Sequence, residues 1–157
     1  MTPKLKIERR DEAGVSRLIL QGVIDENADF SEAFSKLEAT AILDLGGITL
    51  INSSGVRQWV RAVQNFPKNA KVIYEKCSPR IVEQVNYVAD FLGGGSIVSF
   101  DAPYYCPKCK KETKVLLHTE SLSSPKAPEQ KCPNCGAMME FDDIEEEYFS
   151  FLNLRTL

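Results

Sequence analysis

Thr40-Ala41-Ile42-Leu43-Asp44-Leu45-Gly46-Gly47, continuing into Ile48-Thr49-Leu50-Ile51-Asn52-Ser53-Ser54-Gly55-Val56, is the stretch on which the reading of the fold turns. Its first six residues form a nearly continuous apolar run of strand length, the pattern of a central strand covered on both faces. Gly46-Gly47 ends or bends that strand. Beyond it, Val56, Trp59, Val60 and Val63 recur at helical spacing until Pro67. A helix therefore starts at Ser53 or Ser54, and either serine can serve as its cap.

Working toward the N-terminus, Phe30, Ala33, Phe34 and Leu37 fall at i, i+3, i+4 and i+7 and predict a helix. Lys4 to Glu8 and Val15 to Ile24 read as two strands flanking Asp11-Glu12-Ala13-Gly14, an N-terminal hairpin. Toward the C-terminus, Lys71-Val72-Ile73-Tyr74 is a short strand. Ser78-Pro79 then opens a helix with a capping hydroxyl and a proline at the first helical position. Ile81, Val85, Val88 and Leu92 supply its buried face, Gly93-Gly94-Gly95 ends it, and Ser96 to Phe100 is a last strand. The order β-β-α-β-α-β-α-β implies right-handed crossovers in an α/β domain: a mixed, mainly parallel sheet with an antiparallel hairpin at its start.

Composition sets the outer bounds. The chain has 157 residues, of which 43% are hydrophobic and 26% charged, which excludes a mostly disordered, collagen-like or coiled-coil protein. No apolar run approaches the roughly 18 residues of a membrane span, and the charged start Met1 to Lys6 lacks the apolar segment of a secretory signal. A cytoplasmic protein with no membrane partner is expected. A net charge of −3 argues against steering of the whole chain toward nucleic acid or acidic lipid.

In sheets of this kind function gathers at the carboxyl ends of strands, where loops enter helix N-termini. Ile42-Leu43-Asp44-Leu45 leading through Ile48 to Ile51 into Asn52-Ser53-Ser54-Gly55-Val56, in this order of elements, resembles the STAS domain of bacterial anti-sigma factor antagonists over about residues 4 to 101. That family usually reads Asp-Ser-Ser-Gly or Asp-Ser-Thr-Gly here, and its first hydroxyl residue is phosphorylated by a partner serine kinase that is also an anti-sigma factor. The resemblance implies that Ser53 is the phosphoacceptor, within a partner-binding surface that includes Asn52, Ser54, Gly55 and Arg57. Asn52 stands where the family has Asp. A phosphate on Ser53 would face the positive end of a helix while adding about −1.5 to −2 charges to a docking surface. Arg57, one turn on, is placed to neutralise part of it.

Four of the five cysteines form two knuckles, Cys106-Pro107-Lys108-Cys109 and Cys132-Pro133-Asn134-Cys135-Gly136, separated by 22 residues. Tetrahedral Zn²⁺ needs four ligands converging from two tight turns, and a two-residue spacing lets both thiolates of a knuckle reach one ion. Proline after the first cysteine fixes each turn, and Gly136 lets the backbone leave. The segment resembles a zinc ribbon, with Lys114 to His118 and Ala137 to Phe141 as its strands. The resemblance implies a structural zinc with no open coordination position. Disulfides, a thioredoxin-like redox site and four-thiolate iron are the alternatives. Between 106 and 135 six Lys and three Glu leave a balance of +3, which four thiolates and one Zn²⁺ lower to about +1. That is small for a phosphate-tracking surface.

The sequence thus divides into residues 1–102, residues 103–141 and an acidic, aromatic tail at 142–157. In the tail, Ile144, Tyr148, Phe151 and Leu152 follow helical spacing and predict docking on the first part or on a second copy, as a homodimer. Cys77 and Trp59 read as core and His118, the sole histidine, as surface. No catalytic constellation is present. The expected function is non-enzymatic signalling: an anti-sigma factor antagonist-like protein that binds a regulatory protein, a serine kinase or anti-sigma factor, around Ser53 under phosphorylation control. An unswitched interaction adaptor or scaffold, and nucleic-acid binding through the ribbon, are the other two readings.

Overall fold

Ala13 and Gly14 both take positive φ, 53° and 78°, the left-handed pair that closes a two-residue hairpin with the twist of its strands. They join β1 (Lys6–Glu12) to β2 (Val15–Ile24), with Glu12 opposite Val15. The computed structural model describes residues 4–155, and side chains as far as Leu152. β2 pairs in parallel with β3 (Thr40–Ile51), which pairs in parallel with β4 (Lys71–Glu75), and β4 with the two-residue β5 (Ser96–Ile97). The sheet order is β1-β2-β3-β4-β5. Because every parallel step moves the same way across the sheet, right-handed crossovers carry α1 (Ser53–Gln64) and α2 (Pro79–Tyr87) to one face.

This one-sided arrangement corrects the reading of β3 as covered on both faces. Leu18, Leu20, Ala41, Leu43, Leu45, Val72 and Tyr74 are buried, whereas Ile19, Ile42 and Ile73, on the opposite face, are only partly covered. The helix predicted over Phe30 to Leu37 is also absent: residues 31–36 form turns. Lys36 turns left-handed (φ 49°), and the guanidinium of Arg9 on β1 takes the carbonyls of Ala33, Ser35 and Lys36. Those carbonyls are thereby satisfied without a further helical turn. The periodicity survives because Phe30 and Phe34 still face inward, onto Trp59.

α2 is shorter than predicted, ending at Tyr87, with Val88 extended. Its sequel is a run of turns in which Phe91, not Leu92, is fully buried and accepts the Trp59 indole N–H at its carbonyl (2.8 Å). The predicted last strand breaks at Val98. β6 (Ser99–Cys106) instead starts a second, antiparallel sheet of order β7-β6-β8, with β7 (Lys111–His118) and β8 (Glu140–Phe141). The 102/103 junction read from the sequence falls inside β6, all of which pairs with β7; the change of sheet comes earlier, at Val98. Phe100, Ala102, Tyr104 and Cys106 alternate inward along β6, and Thr119 beyond β7 ties back to the carbonyls of Ile97 and Val98. A short α3 (Glu145–Tyr148) and a 3₁₀ turn (Ser150–Arg155) complete the chain. Among the described residues no helix is long and apolar enough to cross a membrane.

Candidate functional site

The start of α1 stands at the carboxyl end of β3. Asn52 is extended and its Oδ1 accepts the Gly55 N–H at 2.8 Å, so Asn52 caps the helix and Ser53 and Ser54 are its first two residues. This corrects the expectation that one of the serines is the cap. Gly55 is required here: a Cβ would lie 2.0 Å from the Ile24 carbonyl oxygen, and that same oxygen accepts the Asn52 N–H. The contact clamps α1 to the end of β2.

Ser53 is exposed on this clamped turn. Arg57 sits close by, but its guanidinium donates to Ser54 Oγ (3.2 Å). The Asn52 amide donates to Glu26 (3.1 Å). Glu26's own backbone N–H and the Asn52 amide hold its carboxyl below the usual carboxylate range. An anionic group, brought from the loop after β2, therefore contacts Asn52, the residue before Ser53. Sequence reasoning missed Glu26, because 26 positions separate it from Asn52 and only the β2–β3 pairing joins them. The exposed Leu50 adds an apolar side chain at this end of β3.

The second site is the cysteine cage. Cys106 and Cys109 lie at the β6–β7 turn. Cys132 and Cys135 lie on a second turn, flanked by the Lys131–Met138 bridge. The two knuckles have the same backbone form. Lys110 N–H bonds the Cys106 carbonyl (2.7 Å) and Gly136 N–H that of Cys132 (2.8 Å), with Lys110 and Gly136 both left-handed at φ 57° and 76°. Gly136 was legible as the exit residue; its counterpart Lys110 was not, since lysine carries no turn signal. All four Sγ atoms lie within 4.8 Å of one another, with Cys106–Cys135 at 3.5 Å and Cys109–Cys132 at 3.9 Å. Tetrahedral Zn–S bonds of about 2.3 Å would place sulfurs about 3.8 Å apart, whereas a disulfide needs about 2.05 Å. The cage fits a metal.

Nitrogen donors complete its surroundings. Cys109 N–H points at Cys106 Sγ and the Asn134 amide at Cys109 Sγ, each at 3.3 Å. Backbone N–H groups of Cys135 and Asn134 bring the Cys132 thiol down to about 7, whereas Cys135, despite the Ala137 N–H, is pushed up to about 12 by the other thiols crowded around it. Cys77 stays apart: it is fully buried, and burial, with the nearby Asp101 and Asp44 carboxylates, pushes its thiol up. His118 is exposed.

The tail packs on its own chain. Tyr148, Phe149 and Phe151 are buried around Phe100, and Phe141 of β8 stacks among Tyr104, Tyr148 and Phe149. Asn86 of α2 donates to the Tyr148 carbonyl (3.0 Å) and accepts from Ser150 Oγ (2.9 Å). Phe149 was missed by the spacing argument, whereas Ile144, which fitted it, is 58% exposed.

No family model matches the chain, and no curated protein matches it. Among solved structures, an anti-sigma factor antagonist from Mycobacterium paratuberculosis is similar over 56% of this chain and 83% of its own, at 16% identity and a TM-score of 0.44.

Proposed function

We propose that this chain is a non-enzymatic bacterial regulatory protein of the STAS, anti-sigma factor antagonist-like type. It binds a protein partner through the surface around Ser53, and phosphorylation of Ser53 by a partner serine kinase or anti-sigma factor controls that binding. The observation that carries the reading is the exposed Ser53 hydroxyl on the first turn of a helix capped by Asn52 and pinned by Gly55 against Ile24. A phosphate added there meets unpaired N–H groups and the positive helix end, so the helix tolerates it. Arg57 is one turn away and can exchange Ser54 for the phosphate. The partner meets about two added negative charges, and binding is lost without unfolding.

In this reading the cage formed by Cys106, Cys109, Cys132 and Cys135 holds a structural Zn²⁺, and residues 103–141 are a zinc ribbon appended to a STAS-like part over residues 1–102, with residues 142–157 as a tail. Zinc bound by four thiolates supplies folding free energy and no open position for a substrate. A cytoplasmic setting suits four reduced thiols. A homodimer through the tail would have to use Ile144 or Leu152, because Tyr148, Phe149 and Phe151 are buried in the chain's own core.

The test is partner capture with wild type, Ser53→Ala and Ser53→Asp, combined with phosphopeptide mapping. Ser53→Asp is expected to weaken the captured complex at least about tenfold, the size of a like-charge clash at an interface, with Ser53→Ala near wild type. A partner bound equally by all three, with Ser53 never phosphorylated, supports the second reading, an unswitched adaptor; that reading is favoured by Asn52, whose amide is engaged by Glu26. Salt-resistant submicromolar binding of a nucleic-acid duplex would replace both with binding through the ribbon.

A further inference from the structure

We infer that the four-cysteine cage is a latch for the C-terminal tail: metal in the cage holds the tail in a groove between α2 and β6, and loss of the metal releases it. The inference rests on the cage being a metal site and is independent of Ser53.

The route from cage to groove is short and continuous. Cys132 and Cys135 shape the turn that delivers β8: Cys132 N–H bonds the Ala137 carbonyl (2.7 Å) and Met139 N–H the Gln130 carbonyl (2.8 Å). β8 is only two residues long and pairs with β6 at Tyr104 and Tyr105, with one further bond from Asp142 N–H to the Pro103 carbonyl (2.9 Å). So short a strand has little hold of its own; a closed cage linking it to the β6–β7 turn supplies the missing constraint. Phe141, on β8, is the ring on which the tail is assembled, 5.5 Å from Tyr148 and 5.2 Å from Phe149. Both rings in turn meet Phe100, and the Asn86 side chain donates to the Tyr148 carbonyl and accepts from Ser150 Oγ.

The tail itself cannot stay put unaided. α3 has four residues and six carboxylates crowd Glu140 to Glu147, far below the length at which a helix holds alone. Its order comes from Phe141 on one side, from Asn86, Phe100 and the Asp101 carbonyl, to which the Tyr148 hydroxyl donates, on the other, and from the Ala127 N–H that Glu145 accepts (3.0 Å). Freed of the cage, β8 and Phe141 lose their register, and the tail leaves a groove floored by Phe100 and walled by α2. Leu18, Leu43, Trp59 and Tyr74 share one hydrophobic core with Phe100 and the tail rings, but the β2–β3–β4 ladder that carries the parallel sheet pairs without the tail. By linkage, the factor by which metal strengthens tail docking is the factor by which docking strengthens metal binding, so a variant that undocks the tail loses metal affinity by up to that factor.

The experiment uses the full chain loaded with one Zn²⁺ and then stripped by chelation, followed by amide hydrogen exchange. Removal is expected to speed exchange at least about tenfold at the Asp142, Tyr148 and Phe149 amides, while the β2 and β3 amides keep their protection. In the reciprocal arm, Zn²⁺ affinity is measured by chelator competition for Phe149→Ala and for the milder Asn86→Ala, and is expected to fall about fivefold or more in the former and in the same direction in the latter. Unchanged tail exchange after stripping, or equal metal affinity in both variants, overturns the latch. Equal loss of protection in β2 and β3 also overturns it, since the event would then be global unfolding. A chain that takes up no metal refutes the cage reading itself, and the latch with it.

Discussion

Two aromatic clusters hold this molecule together, and they are built on opposite principles. The first gathers Phe30, Phe34, Phe66, Tyr74 and Phe91 around Trp59, beneath the parallel sheet. Its central rings, Trp59 and Tyr74, sit on the twelve-residue α1 and on β4, with Phe30, Phe34, Phe66 and Phe91 packed in from turns and loops, and the Trp59 and Tyr74 polar atoms are satisfied by the Phe91 and Leu92 carbonyls. The second gathers Tyr104, Phe141, Tyr148, Phe149 and Phe151 around Phe100. Phe100 and Tyr104 sit on the eight-residue β6, but the rings they receive come from a two-residue strand, one turn of helix and a 3₁₀ turn. In the first cluster the central ring is carried by a full helix; in the second the tail brings its rings on single turns, held against β6 beside the four-cysteine cage. A small segment without a full hydrophobic core needs such a staple.

The sharpest way to break the comparison is Cys132→Ser. Metal content is expected to fall from about one ion per chain to none, with a loss drawn from the roughly 10 to 16 kcal/mol of apparent binding free energy typical of such sites; elemental analysis reads the first and circular dichroism should show the parallel sheet retained. Trp59→Ala is the counterpart in the other cluster. It is expected to cost about 3 to 5 kcal/mol, visible as a lower denaturant midpoint, and to leave the metal in place. Gly55→Ala should follow at about 2 to 3 kcal/mol, the range of overpacking, because its Cβ would meet the Ile24 carbonyl.

The helix starts supply a finer contrast. Asn52→Ala should cost about 1 kcal/mol, as the loss of a working cap does. Ser78→Ala should cost close to nothing, because Ser78 Oγ is buried and makes no cap bond at the start of α2. Equal costs in chemical denaturation would refute this distinction. The smallest effect concerns Asp101, whose carboxyl is raised by partial burial, against the pull of Lys114. A carboxyl raised in the folded state leaves stability intact at low pH and lowers it as pH rises through the folded value. Asp101→Asn should therefore gain less than about 1 kcal/mol at pH 7, solvent screening included, and nothing at pH 3.

What could be read in the sequence was whatever repeats locally. The hairpin, β3 with its entry to α1, the cysteine knuckles and the core positions of Trp59 and Cys77 all follow from neighbours in the chain. What stayed hidden depends on distant partners. The turns at 31–36 replace a helix because Arg9, far upstream, takes their carbonyls. Asn52 outcompetes two serines as cap, and Glu26 reaches it only through the β2–β3 pairing. The 3.6-residue spacing found Tyr148 and Phe151, which are buried, but missed Phe149 and included the exposed Ile144, because the last turns pass from one turn of α-helix into a 3₁₀ turn.

β6 carries a consequence for how such a protein can be rearranged. One continuous strand lends Cys77 a neighbour at Phe100 and, six residues later, lends the cage its first thiol at Cys106. The two halves are therefore not beads that recombination can exchange at a linker. A cut within β6 takes the central strand from the β7-β6-β8 sheet and Phe100 from beside Cys77, so gain or loss of the cysteine segment over evolutionary time would have to proceed by remodelling in place.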